Sequence, residues 1–211
     1  MLTSVAMFRG VPKVCDINNN SIGNASVALK VESGCQGGKG FLCDSYIPSP
    51  VTDTLSYGFA IFNGAGNCCK CFQLTWTSGN ARGKQMIVQA LNTFDPAGDV
   101  KANDVVILTP GGGSGPNEAG CRNQYGTTWY VDLPERVMDG RAGLTCRSFS
   151  RGQSGGGVAS AKDCANLPQN LQGGCYWRYN WAGGPLNTWG VDYQQVACPA
   201  RLTSISGCVA A

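Results

Sequence analysis

The chain has 211 residues, of which 30 are glycine, 14 % are charged and none is histidine, and its formal net charge is +3. The absence of histidine excludes mechanisms that need an imidazole base and sites that need a histidine ligand. No apolar run is long enough to cross a membrane, and no long basic segment favours a nucleic-acid partner. A chain of this length forms one domain, or at most two small ones.

Five short stretches predict β-strands, because each mixes β-branched and aromatic residues and is bounded by glycine, proline, asparagine or serine. The run Phe72–Thr77 alternates apolar and polar residues as a half-buried strand does. The unbroken apolar run 105–108 indicates a fully buried strand. In chain order, the predicted strands are Ser56–Phe62, Cys71–Thr77, Gln85–Leu91, Asp104–Thr109 and Val191–Cys198.

Helical signals are weak and lie towards the C-terminus. The segment Val158–Asn170 predicts one short helix closed by Pro168, and the glycine-rich run Gly152–Gly157 predicts a flexible surface loop. With so much glycine and so little helix, the sequence favours a small β-barrel with long loops.

Twelve cysteines spread along the chain predict a disulfide framework and therefore a secreted, extracellular protein. The competing interpretation is metal binding by the cysteines of segment 68–71. It is weaker because zinc sites usually carry two C-x-x-C pairs at matching spacing, which this chain lacks. Two N-x-S/T sequons, at Asn19 and Asn24, suit a glycosylated surface loop.

Without histidine, paired carboxylates are the leading catalytic option, because two carboxyl groups flanking a glycosidic bond can act as general acid and general base. Asp95, Asp99 and Asp104 fall between two predicted strands. They are followed by the glycine-rich segment 110–113, along which a polymer could approach the backbone closely. The alternative is that these aspartates only form turns, as Asp-Pro and Gly-Asp often do.

Several separated runs, extending in order from about Pro12 to Cys208, carry a pattern that includes the cysteines. They are Tyr57–Ala60, Cys68–Gly79, Gly83–Gln89, Asn92–Thr93, Gly98–Asp99, Pro110–Gly113, Gly120–Cys121, Gln124–Gly126, Gly174–Trp181, Val196–Pro199 and Ser206–Cys208. Together they resemble glycoside hydrolase family 45, the small secreted endo-β-1,4-glucanases.

The resemblance implies an all-β fold, a six-stranded double-psi β-barrel with long disulfide-linked loops and an open groove. Residues 1–211 would form a single catalytic domain, with 1–11 unassigned. The implied activity is that of a cellulase, which hydrolyses internal β-1,4-glucosidic bonds with inversion. The acid protonates the leaving oxygen while the base activates water on the opposite face. No metal and no cofactor are implied. We expect a monomer whose partner is cellulose or another β-1,4-glucan, with no nucleic acid or membrane partner.

The resemblance also implies four disulfides, which are Cys15–Cys43, Cys69–Cys208, Cys71–Cys198 and Cys164–Cys175. Cys35, Cys68 and Cys121 match family cysteines whose partners lie in a short N-terminal motif, T-R-Y-W-D-C-C-K-P-S-C. This sequence has no such motif, and Cys146 has no family counterpart.

The aspartate of the absent motif is the family's general base. One expectation is therefore that the sequence is truncated at its N-terminus, for example by a mis-assigned start at Met1. The alternative is a divergent member that has lost the base. In such a protein Cys35, Cys68, Cys121 and Cys146 would form pairs among themselves. Such a protein would bind and loosen cell walls, as expansins act on cellulose with the same barrel and without efficient hydrolysis.

The family's general acid is an aspartate four residues before Pro-Gly-Gly-Gly, which is the position of Val106 here. Asp104 is the nearest carboxylate, and along a strand this shift of two residues keeps the face but moves the carboxyl by about 6.6 Å. We expect Asp104 to be the acid, with a pKa raised by burial against Val105 and Val106. Asp99 matches the family's Gly-Asp loop residue and is expected to assist the acid electrostatically.

Aromatic residues are candidates for contact with sugar rings, because flat aromatic faces stack on them. Trp177 and Tyr57 are candidate groove residues for the substrate, with core packing as the equal alternative. The run Tyr176–Trp181 alternates as a strand with one buried face, so about half of the nearby rings are expected in the core.

Overall fold

The computed structural model describes residues 11–23, 25–28, 30–34, 37–94, 96, 101–112, 158, 160–184, 186 and 189–210. The predicted loop Gly152–Gly157 lies outside this part of the chain, as do six of the residues singled out in the sequence: Asn24, Cys35, Asp95, Asp99, Cys121 and Cys146. Among the described residues, no helix is both long enough and apolar enough to cross a membrane.

Eight strands and three short α-helices occur in the described part of the chain. The strands are β1 (Val14–Cys15), β2 (Phe41–Leu42), β3 (Ser49–Pro50), β4 (Leu55–Asn63), β5 (Cys71–Trp76), β6 (Gln85–Phe94), β7 (Val106–Ile107) and β8 (Val191–Val196). The helices are α1 (Ala25–Ala28), α2 (Gln169–Tyr176) and α3 (Ala200–Ser206), with 3₁₀ turns at Ala65–Asn67 and Ala161–Asn166 and a π-helical turn at Trp177–Trp181. The five predicted strands all occur, with ends shifted by up to three residues.

Six of the strands form one mixed sheet. Five of them follow the order β3-β4-β6-β5-β8, and the sixth, β7, pairs with β4. The parallel pair β4–β6 is central, with Tyr57 opposite Ile87, and β5 pairs antiparallel with both β6 and β8. The short strand β7 pairs antiparallel with β4, on the same edge of β4 as β3. Strands β1 and β2 form a separate antiparallel pair. The framework is therefore all-β, as the sequence predicts.

Apolar side chains cover both faces of this sheet. The first cluster lies on one face and is built around Trp76, Met86, Val88, Trp177 and Trp181. The second cluster lies on the other face and is built around Tyr46, Phe59, Leu91, Leu108 and Leu202. Ile107 of β7 belongs to the first cluster, whereas Val106 belongs to the second. A strand between two apolar layers needs an unbroken apolar run, so the prediction of a fully buried strand within residues 105–108 is confirmed.

The described part of the sheet is open. Strand β8 forms one edge, and β3 and β7 together form the other. The four central residues of β8, Asp192–Gln195, are exposed. The six strands that the resemblance implies are present in one sheet, and their closure into a barrel stays a prediction.

Four disulfides join the described cysteines, and they are the four pairs that the resemblance implies: Cys15–Cys43, Cys69–Cys208, Cys71–Cys198 and Cys164–Cys175. The second and third pairs connect residues 139 and 127 positions apart, so they join the start of β5 to the C-terminal segment. A cross-link that closes a loop of this length contributes about 4–5 kcal/mol in the chain-entropy account. Cys68 forms no disulfide with any cysteine that the structure describes.

One prediction of local structure near the C-terminus is wrong, and another is confirmed with a different type of helix. The run Tyr176–Trp181 is helical, because Trp177 and Trp181 are four residues apart and stack on one helix face with ring centroids 5.3 Å apart. Its apparent alternation therefore reflects a helical stripe and not a strand. The predicted short helix closed by Pro168 is present as the 3₁₀ helix Ala161–Asn166. Pro168 then serves as the N-cap of α2, since its missing N–H costs nothing there.

Candidate active site

The start of β7 and the ends of β4 and β6 meet at one end of the sheet. Ile61 of β4 pairs with Val106 of β7 on one side and with Asn92 of β6 on the other, just after a bulge in the β4–β6 pairing. Because β7 runs antiparallel to β4, Asp104 lies beyond Val106 in the direction of Asn63, the last residue of β4. The predicted acid is therefore at the end where the two central strands finish. Bulges of this kind are common next to active sites.

Asp104 is exposed and closes a tight turn before β7. Its Oδ2 accepts the backbone N–H of Lys101 at 2.8 Å, and its own N–H donates to the Lys101 carbonyl at 3.0 Å. The expected burial against Val105 and Val106 is wrong, because β7 begins only at Val106 and leaves Asp104 outside the sheet. The alternative interpretation of this aspartate as a turn former holds. An exposed carboxylate at the sheet end is also accessible to a polymer chain.

Val106 occupies the position at which the resemblance expects the general acid. Its side chain is buried in the second cluster, opposite Ile61. A carboxyl group at that point would have no water and would face apolar neighbours. The other predicted carboxylates, Asp95 and Asp99, lie outside the described residues. Asp104 is thus the one candidate acid whose surroundings the structure describes.

The turn that follows β7 is held by a buried cation. The carbonyl oxygen of Gly111 accepts hydrogen bonds from Nη1 of Arg178 and from the backbone N–H of Val158, each at 2.9 Å. Arg178 is only 4 % exposed, and burial lowers the pKa of its guanidinium. Nε of the same side chain is buried and has no hydrogen-bond partner among the residues that the structure describes. Arg178 therefore fixes the backbone that leads from β7 towards the glycine-rich segment, a role that the sequence did not reveal.

Glycines let this turn pack closely against α2. Gly111 has φ +74°, and a Cβ there would lie 2.8 Å from Val158 Cγ2 and 3.0 Å from Cys175 Sγ. On the facing helix, a Cβ on Gly174 would lie 2.8 Å from the ring of Pro110. Packing therefore explains one glycine of the Pro-Gly-Gly pattern, Gly111, and the glycine at position 174 of the facing helix.

The two predicted groove residues do not line a common surface. Trp177 is 2 % exposed and belongs to the first cluster, so its assignment to a groove is wrong and the core alternative holds. Tyr57 is half-buried and packs against the second cluster, on the opposite face of the sheet. It also lies six residues before Asn63 on β4, about 20 Å along the strand from the end near Asp104.

Tyr193 of β8 is the one aromatic side chain in the described residues that is largely exposed, at 42 %. Its ring stands edge-on to Phe62 and Phe72, with centroids 5.5 and 5.9 Å away. Phe62 directly precedes Asn63, so this aromatic surface lies at the same end of β4 as Asp104. The signal in the sequence is a tyrosine within a polar strand, and it is visible only once β8 is known to be an edge.

Metal binding by the cysteines of segment 68–71 is ruled out, because Cys69 and Cys71 are in disulfides. In the described ranges, no group of three or more cysteine or carboxylate side chains could hold a metal ion. The remaining thiol, Cys68, is half-buried, and burial raises its pKa, which lowers its reactivity.

The sequence profile of glycosyl hydrolase family 45 matches residues 4–133 and 138–209. The chain belongs to this family. Among family-45 structures, the crystal structure of the cellulase from the Antarctic springtail Cryptopygus antarcticus superposes with a TM-score of 0.74 at 30 % identity. The match covers 99 % of this chain and 88 % of the springtail chain.

Curated relatives carry the same type of name. An endoglucanase of Phaedon cochleariae is 34 % identical over 201 residues, which is 93 % of this chain and 72 % of that protein. An endoglucanase of Cryptopygus antarcticus is 32 % identical over 192 residues, covering 89 % and 74 % of the two chains. A relative from Fusarium oxysporum is 34 % identical over 200 residues, and the match spans only 45 % of its length.

Proposed function

We propose that this family-45 protein is an endo-β-1,4-glucanase that hydrolyses internal bonds of cellulose or a related β-1,4-glucan with inversion. The observation that carries the proposal is the family match over nearly the whole chain, together with a cellulase fold at TM-score 0.74. In an inverting mechanism, an acid protonates the glycosidic oxygen while a base on the opposite face activates water. The two carboxyl groups are about 6.5–9.5 Å apart, which leaves room for that water.

Asp104 is proposed as the general acid, with Asp99 as its electrostatic helper. The position of Asp104 supports this role, since the residue is exposed at the sheet end. Within the described ranges, one of its carboxylate oxygens accepts the Lys101 N–H and the other has no hydrogen-bond partner. We assign glucan stacking to Tyr193, in place of the buried Trp177. Its exposed ring is braced by the buried rings of Phe62 and Phe72, so little side-chain entropy is lost when a sugar packs on it.

The finer architecture proposed is a double-psi β-barrel. Six strands in one mixed sheet supply the strand number that such a barrel needs, and closure would join the edge at β8 to the edge formed by β3 and β7. The four disulfides support secretion into an oxidising, extracellular environment. We propose that the protein acts there as a monomer.

The test is product release from cellohexaose by the 211-residue chain, with the anomers at the new reducing ends followed by NMR. Shorter oligomers of inverted configuration would support the proposal. Asp104→Asn should then lose activity, whereas Asp53→Asn, which changes an exposed carboxylate in the β3–β4 turn, should not. Folding of every variant is checked by circular dichroism before assay.

A folded chain that releases no product would contradict hydrolysis by this chain and leave two explanations, an absent N-terminal base and cell-wall loosening. In that case the family's Trp-Asp-Cys-Cys motif is fused to the N-terminus and the assay is repeated. Activity that appears only in the fusion would assign the base to that motif. Continued inactivity of the folded fusion would reject the endoglucanase.

A further inference from the structure

One of the two sequons lies on a well-defined exposed turn between β1 and α1. The backbone N–H of Asp16 donates to the Asn20 carbonyl at 2.8 Å, and that of Asn19 donates to the Asp16 carbonyl at 3.0 Å. The Asp16 carboxylate accepts the backbone N–H groups of Asn18 and Asn20 at 2.9 and 2.8 Å. These backbone hydrogen bonds lower the pKa of Asp16, so the carboxylate that closes the turn stays charged further into the acid range.

Asn19 stands at the tip of this turn, and its side-chain amide nitrogen is the atom that would carry a glycan. Its φ of +66° lies in the left-handed region, which asparagine tolerates better than most residues. Its Oδ1 accepts the backbone N–H of Asp44 at 2.7 Å, which holds the amide in one orientation. No hydrogen bond from Asn19 Nδ2 is found in the described part of the chain, and the residue is exposed. The neighbouring amide of Asn20, by contrast, donates to Asp16 Oδ2 at 3.2 Å.

We infer that Asn19 is an acceptor for an N-linked oligosaccharide. The sequon needs a hydroxyl two residues after the asparagine, and Ser21 supplies it from an exposed position next to the Cys15–Cys43 disulfide. The inference does not depend on the proposed enzymatic activity, although it needs passage through a secretory compartment.

The oligosaccharide is transferred to Asn19 from a lipid diphosphate-linked donor. Nδ2 of Asn19 forms a bond to C1 of the first sugar, the bond from C1 to the phosphate oxygen breaks, and the lipid diphosphate leaves with the electron pair. Nδ2 loses one proton and keeps the other. The amide carbonyl is unchanged, so the hydrogen bond from Asp44 to Oδ1 can persist under the glycan.

The experiment is secretion from a eukaryotic host that glycosylates a co-expressed reporter. One tryptic peptide, residues 14–30, contains both sequons, so Ser26→Ala is used to remove the second. The Ser26→Ala protein should migrate with one N-glycan. Treatment with a peptide-N-glycosidase in heavy-oxygen water should convert Asn19 to labelled aspartate, located by fragment ions.

Adding Ser21→Ala to that variant should abolish the shift, and adding Ser21→Thr should retain it because the hydroxyl is kept. Secreted Ser26→Ala protein without a glycan, beside a glycosylated reporter, would overturn the inference. So would retention of the glycan when Ser21 is alanine. If Ser21→Ala is not secreted, the labelled position in the Ser26→Ala and Ser21→Thr proteins still decides.

Discussion

Two adjacent glycines of α2 differ in what a side chain would meet. Gly173 is exposed, and among the described residues a Cβ there would meet no heavy atom within 4 Å apart from its chain neighbours and the backbone of its own helix. A Cβ on Gly174 would lie 2.8 Å from Cδ and Cγ of Pro110 and 2.9 Å from Cβ of Ile47. A proline ring and a Cβ cannot rotate away as the tip of a flexible side chain can. We therefore predict that Gly174→Ala destabilises the protein relative to Gly173→Ala.

The expected change in the free energy of unfolding has one contribution that both variants share and one that only Gly174→Ala has. Both substitutions gain the helix propensity of alanine over glycine, so Gly173→Ala should raise the free energy of unfolding by about 0.5–1 kcal/mol. Only Gly174→Ala adds a methyl group to a closely packed site, which typically costs about 1–3 kcal/mol. The difference between the two variants should therefore be about 1–3 kcal/mol. In a chain of this size each 1 kcal/mol shifts Tm by about 2–4 °C.

The assay is equilibrium unfolding in guanidinium chloride with the disulfides intact, compared at equal m-values. Equal midpoints for the two variants would refute the close approach of α2 to Pro110. Such a result would also argue against close packing of the turn after β7 on α2, because Gly174 contacts Pro110 next to the Gly111 carbonyl that Arg178 binds.

Three further predictions concern the site and the core. Asp104→Asn should lower kcat by about 10²–10⁴-fold, the usual contribution of a general acid, with Asp53→Asn as the unaffected control. Tyr193→Ala should weaken binding to insoluble cellulose by about 2–10-fold, from the worth of an aromatic contact, and Tyr193→Phe should not. Burial raises the pKa of Tyr46, whose hydroxyl donates to the Lys13 carbonyl at 2.8 Å, so the unfolded chain ionises first. The free energy of unfolding should fall above about pH 10 by up to about 1.4 kcal/mol per pH unit, and Tyr46→Phe should remove this slope.

The strands could be predicted because their signals are local. Alternation of apolar and polar residues along Cys71–Trp76 indicates a strand with one buried face. The consecutive apolar residues Val106 and Ile107 indicate a strand that is buried on both faces. The helical turn at Trp177–Trp181 could not, because an aromatic pair four residues apart is compatible with a helix stripe and with an imperfect strand. Only the packing of Trp181 against Trp76 and Lys84 decides between them.

The candidate acid shows why the site was harder to predict than the fold. A shift of two residues along a strand keeps the face, so Asp104 and Val106 were expected to share one environment. They do not, because the strand begins between them: Val106 is paired with Ile61 in the core, and Asp104 closes a turn in solvent. Where a strand begins depends on its pairing partner, which is distant in sequence. A carboxylate that replaces the family's acid on this segment must therefore lie before β7, where water and a polymer can reach it. Asp104 lies there, whereas position 106 lies within the core.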